Sequence, residues 1–119
     1  MESILTSIKK MLGITEEYQH FDADIIMHIN SVFMVLNQLG VGPPEGFMIE
    51  DDSAVWSDFI PEGKQLGTVK SYIYLRVRLI FDPPTSSAVI ESMNSIIREF
   101  EVRLNLAVDS SGEEENQNG

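Results

Sequence analysis

Apolar residues return at helical spacing in several stretches of the 119-residue chain. Ile4, Leu5, Ile8 and Leu12 outline a first helix over about Ser3 to Leu12. Gly13 follows, where a helix end favours a left-handed residue. The second stripe is the most regular: Ile25, Ile26, Ile29, Val32, Phe33, Leu36 and Leu39 follow Asp22, a natural N-cap, and Gly40 ends the run. A last helix is predicted from about Ser86 to Ala107. It follows Pro83 and Pro84, takes its cap from Thr85-Ser86-Ser87, and carries Val89, Met93, Ile96, Ile97, Phe100, Leu104 and Ala107 on one stripe. At about 1.5 Å per residue it is roughly 33 Å long.

The stretch from Thr68 to Phe81 fits two periods. As a strand, Ile73, Leu75, Val77, Leu79 and Phe81 alternate with Tyr72, Tyr74, Arg76 and Arg78; as a helix, Leu66, Val69, Ile73, Val77 and Ile80 share a side. Fourteen residues without a turn signal is long for a strand. A lone strand would also need partners, and the chain offers at best Phe47 to Ile49. The helix is therefore preferred. The fold expected is all-α: a small four-helix bundle with a long irregular loop between the second and third helices and a long C-terminal helix.

That loop, Val41 to Leu66, holds Pro43, Pro44 and Pro61 together with Gly42, Gly46 and Gly63. A connection of this length in a compact domain is more often functional than idle. Trp56, Phe47 and Phe59 are expected to pin it to the helices, leaving Glu45, Glu50, Asp51, Asp52, Asp58 and Glu62 outside.

Composition then narrows the function. Eight basic and nineteen acidic residues give a formal charge of −11, and there is no cysteine. Disulfide scaffolds, Cys-based zinc modules and thiol nucleophiles are excluded. So is a conventional nucleic-acid grip, which draws on Lys and Arg, and docking on anionic lipid is disfavoured for the same reason. Residues 109–119 carry four acids, no base and no apolar side chain, and are expected to form a disordered tail after a domain spanning 1–108. Without the tail the charge is still about −7. Lys9 and Lys10 interrupt the first apolar pattern, unlike an export signal, and no apolar run approaches the roughly 20 residues of a membrane span. The expectation is a soluble protein made inside the cell.

The search for chemistry returns no HExxH, GxSxG, Walker A or GxGxxG motif, so neither an enzyme nor a bound cofactor is expected. His20 and His28 read as surface or half-buried histidines. Glu50-Asp51-Asp52 with Asp58 lacks the spacing and glycine of a calcium loop and reads as a solvated acidic run. Among the bases, Arg76, Arg78, Arg98 and Arg103 either pair with nearby acids, as Arg98 could with Glu101, or mark contacts with a neighbouring copy.

The run VKSYIYLRVRLIFDPPTS, the long amphipathic helix ending in EFEVRLN, the opening SILTSIKKMLGI and the acid-capped HFDADIIMHINSVFMVLNQLGV together resemble head–tail connector proteins of tailed bacteriophages. The resemblance covers residues 1–107. It implies a non-enzymatic virion protein at the head–tail interface, assembled as a ring of about twelve copies beneath the portal protein, with a single copy possible before assembly. Such a ring meets a downstream stopper or tail protein, extends the channel for double-stranded DNA without gripping it, and has no membrane contact. On that reading Arg76, Arg78, Arg98 and Arg103 are candidate subunit or portal contacts. Glu50, Asp51, Asp52, Trp56 and Asp58 are the candidate channel-facing or neighbour-facing loop. The competing reading is an acidic helical regulator that binds a basic partner as a DNA mimic, but its charge would run along helix faces rather than sit in a loop and a tail.

Overall fold

The computed structural model describes residues 2–118, with side chains described for residues 2–108. Helix α1 (Ile4–Met11) opens where the Ser3 hydroxyl accepts the Thr6 N–H at 3.3 Å. It closes through Gly13, whose φ of +81° lets its own N–H reach Lys10 O and that of Ile14 reach Lys9 O. Helix α2 (Asp22–Gln38) ends the same way, with Gly40 at φ +84° donating to Asn37 O and Val41 donating to Leu36 O. Both glycine stops stand where the pattern put them.

The start of α2 does not. Phe21 is the N-cap, without a side-chain bond, and Asp22 lies inside the first turn. The Asp22 carboxylate is turned instead to the Lys9 ammonium, 2.8 Å away. A buried ammonium has a stronger claim on a carboxylate than a backbone N–H that water can reach. Asp22 still lies where the helix dipole favours a negative charge.

The chain then runs through α3 (Trp56–Phe59), α4 (Leu66–Phe81) and α5 (Ser87–Asn118). The fold is all-α, and the ambiguous stretch is helical. Helix α3 is a single turn within the segment expected to be irregular, so among the described residues five helices stand where four were expected. Phe81-Asp82-Pro83-Pro84 closes α4: the Asp82 N–H still reaches Arg78 O, and neither proline can donate to continue the helix. Phe81 meets Phe21 edge to face at 5.2 Å. Ser86 starts α5, its hydroxyl accepting the Val89 N–H. Beyond Ala107, where the stripe ends, the α5 backbone continues to Asn118. The side chains of the acidic segment 109–119, expected to be a disordered tail, lie outside the described residues.

Helix α4 is the hub, packing on α1, α2 and α5. That placement accounts for its apolar residues on nearly every side: Val69, Tyr72, Ile73 and Val77 are buried, and Leu66, Leu75, Leu79 and Phe81 pack partly against the core. Tyr72 to Phe81 therefore offers little spare surface, contrary to what its composition suggests. Only Ile80, assigned to the buried side by its period, stands out into solvent. The α2 stripe is internal as expected, from Ile25 to Leu36, whereas Val89 and Ile96 of the α5 stripe are exposed. Among the described residues no helix is long and apolar enough to cross a membrane.

Candidate functional site

The loop between α2 and α4 is held by specific bonds. Asn30 on α2 brackets Ile49, its amide nitrogen donating to Ile49 O at 2.9 Å and its amide oxygen accepting Ile49 N–H at 2.8 Å. Asn37 donates to Pro43 O and Pro44 O. Ile4 N–H reaches Ala54 O, and the Trp56 indole N–H donates to Ser7 Oγ at 2.9 Å inside the core. Phe33, Phe47 and Phe59 stack within 4.6–5.2 Å of one another. Asn30→Ala strands both backbone groups of the buried Ile49, at about 1–3 kcal/mol. Limited proteolysis of that variant is expected to cut within residues 41–55 first, before any fall in the helical signal.

This packing divides the candidate loop residues. Trp56 is fully buried, so it anchors the loop and is not available to a channel or a neighbour. The indole found a pocket among α1 and α4, under the Lys70 ammonium 5.4 Å from its ring. Glu50, Asp51, Asp52 and Asp58 are exposed. Asp58 accepts the Val55 N–H at 2.9 Å and so caps α3. Asp51 accepts the Ser53 hydroxyl and backbone N–H, which holds its carboxyl below the usual range. Glu50 and Asp52 make no such bond among the described residues. No group of three His, Asp or Glu residues is placed to hold a metal ion among the described residues.

The arginines separate as well. Arg76 reaches across from α4 to Glu101 on α5 at 3.2 Å, and the Tyr72 hydroxyl donates to the same carboxylate oxygen at 2.6 Å. Glu101 is therefore the partner of Arg76 and Tyr72, not of Arg98: the buried phenol needs an acceptor, and the seam between the two helices supplies one. Arg78 donates to Tyr74 Oη at 2.7 Å. Arg103 pairs with Glu99 one turn away, an exposed pair worth about 0.3–0.5 kcal/mol. Among the described residues Arg98 donates only to Ser95 Oγ.

Burial, together with the bond to Glu101, holds the Tyr72 phenol well above the ordinary tyrosine range. The sign of the pH effect follows. Above pH of about 10 the unfolded chain releases a proton that the folded chain keeps, so stability falls as pH rises. Urea unfolding followed from pH 8 to pH 11 is expected to show that fall, and Tyr72→Phe is expected to flatten part of it.

Apolar surface left exposed lies elsewhere. Met27 and Met34 stand off the buried face of α2, Met48 projects from the loop, and Val102 and Leu106 lie outside the buried stripe of α5. The sequence signal for these was available: they are apolar residues that no stripe claims. Their exposure depends on what packs over them, which the spacing does not reveal.

No curated protein and no solved structure matches the chain. A family model does, described as phage connector protein, and it matches residues 4–111. These residues take in all four of the longer helices up to the last turns of α5, and the pinned loop between them. The chain belongs to the family of phage connector proteins.

Proposed function

We propose that this protein forms a ring beneath the portal of a tailed phage, joining the filled head to the next head-completion or tail protein and lengthening the DNA channel. The family match carries the reading, since it already implies a structural, non-enzymatic phage protein at the head–tail junction. Two physical features support the finer statement. The core is closed by the chain's own helices, yet large apolar side chains remain exposed on both α2 and α5. A subunit that meets a neighbour on either side needs such surface. In addition, Glu45, Glu50, Asp51, Asp52 and Glu62 are exposed, and an acidic wall lets phosphates slide past without holding them.

Native mass spectrometry and electron microscopy of the protein mixed with the portal protein of the same phage test this. The expected result is a ring of about twelve copies on the portal. A chain that stays monomeric, ignores the portal and instead blocks a DNA-binding protein would overturn the reading in favour of a DNA mimic.

A further inference from the structure

Two exposed apolar features differ in shape and in charge. One is a groove between α2 and the loop, an open space of about 500 Å³ lined by Phe33, Met34, Phe47 and Met48, with Glu45 beside them. Met34 and Met48 are 66% and 71% exposed. The other is a ridge on α5. Arg98, Val102 and Leu106 follow one another at i, i+4 and i+8, and Val102 and Leu106 are 59% and 58% exposed. A shallow hollow beside the ridge is lined by Leu39, which lies about 140° around α2 from Met34. The groove and the hollow beside the ridge thus open on different faces of the C-terminal end of α2.

The charges complete the match. Among the described residues, Lys70, Arg78 and Arg98 are the bases without a carboxylate partner. Lys70 lies over Trp56 and Arg78 is held by a short bond to the half-buried Tyr74, whereas the exposed Arg98, beside the apolar ridge, has only a 3.3 Å bond to Ser95 Oγ on its own helix. Glu45, at the groove, likewise has no cation among the described residues. Flexible methionines suit a groove that receives branched side chains.

We propose that the Arg98-Val102-Leu106 ridge of one copy docks in the Met34–Met48 groove of the next, with Arg98 facing Glu45. The contact is heterologous: each copy gives its ridge to one neighbour and its groove to the other, the arrangement that closes into a ring. It rests on the ring reading above and names the surfaces that would build it.

The chain has no cysteine, so single introduced cysteines report single sites. Met48→Cys chains and Leu106→Cys chains, distinguished in mass by a terminal tag on one of them, are mixed at high concentration with the portal protein of the same phage and oxidised. Random collision gives about twice as much mixed dimer as either homodimer; docking is expected to raise that ratio to about tenfold or more. Adding Arg98→Glu to the Leu106→Cys chain is expected to remove most of the excess, and adding Glu45→Arg to the Met48→Cys chain to restore it. A mixed dimer at the random level, or no response to the charge exchange, overturns the docking. Rings of the unaltered chain on the portal seen alongside a random yield would leave the ring standing with other surfaces.

Discussion

Trp56→Ala is expected to lower stability by about 3–5 kcal/mol, because it empties the largest fully buried side chain in the molecule. Three separate supports are lost together. The indole fills the space between the loop, α1 and α4. Its N–H satisfies Ser7 Oγ, which itself donates to Ser3 O at 2.7 Å. Its ring lies under the Lys70 ammonium. The loop is therefore expected to detach in addition to the core weakening, and protease cleavage within residues 41–66 measures that directly. Trp56→Phe separates the contributions: most of the apolar volume returns, while Ser7 still lacks its donor. Its expected cost is about 1–2 kcal/mol by urea unfolding, followed by circular dichroism because the only tryptophan is gone. Equal losses for the two variants would mean that the indole packs little against the core.

Asp22→Ala is the second large effect. Lys9 is 2% exposed, and its ammonium has two partners, Asp22 Oδ1 at 2.8 Å and Glu16 O at 3.0 Å. Among the described residues no donor is aligned with Asp22 Oδ1 as a hydrogen bond, so its contact with Lys9 is chiefly one of charge. Removing the carboxylate leaves a buried ammonium on a single carbonyl. Breaking such a pair costs about 3–5 kcal/mol, and a carboxylate that is partly exposed puts the expectation near the lower figure. Asp22→Asn combined with Lys9→Met removes both charges at nearly constant volume and is expected to recover most of the loss. Thermal unfolding of Asp22→Asn, of Lys9→Met and of the double variant gives the coupling. A double variant as weak as Asp22→Ala would show that Lys9 acts through its hydrocarbon stem and not its charge.

Both predictions fall on contacts between residues far apart in the chain, and the sequence was least informative there. It was most informative where a signal is complete within one or two turns. Gly13, Gly40 and the Thr85-Ser86-Ser87 cluster mark helix ends because capping involves neighbours within about five residues. The stripe from Ile25 to Leu36 marks a buried face because helical period alone brings those residues together. The preference for a helix over residues 68–81 held because an isolated strand would have had nothing to pair with.

The candidate site was legible only in part. The loop's role as a pinned, acid-bearing segment could be anticipated from its aromatics and its charge. Trp56 carried two expectations, as a pinning aromatic and as a loop contact, and only its burial with the indole bonded to Ser7 decides between them. The four arginines look alike in sequence, yet Arg76 is committed to Glu101 and Arg98 has no carboxylate partner among the described residues.

The sequence by itself determined that this is an all-helical, acidic chain with two glycine-closed helices and the pattern of a phage connector. The helices, the acidity and the glycine stops follow from local period, capping and composition, while the connector pattern rests on resemblance to that family. Only the tertiary structure decided that α4 is the hub, that Asp22 serves Lys9 and not its own helix end, and that Met34, Met48, Val102 and Leu106 are among the apolar residues left exposed. Each of these depends on which distant groups arrive at the same place, and burial then makes a polar group take whatever partner is within reach.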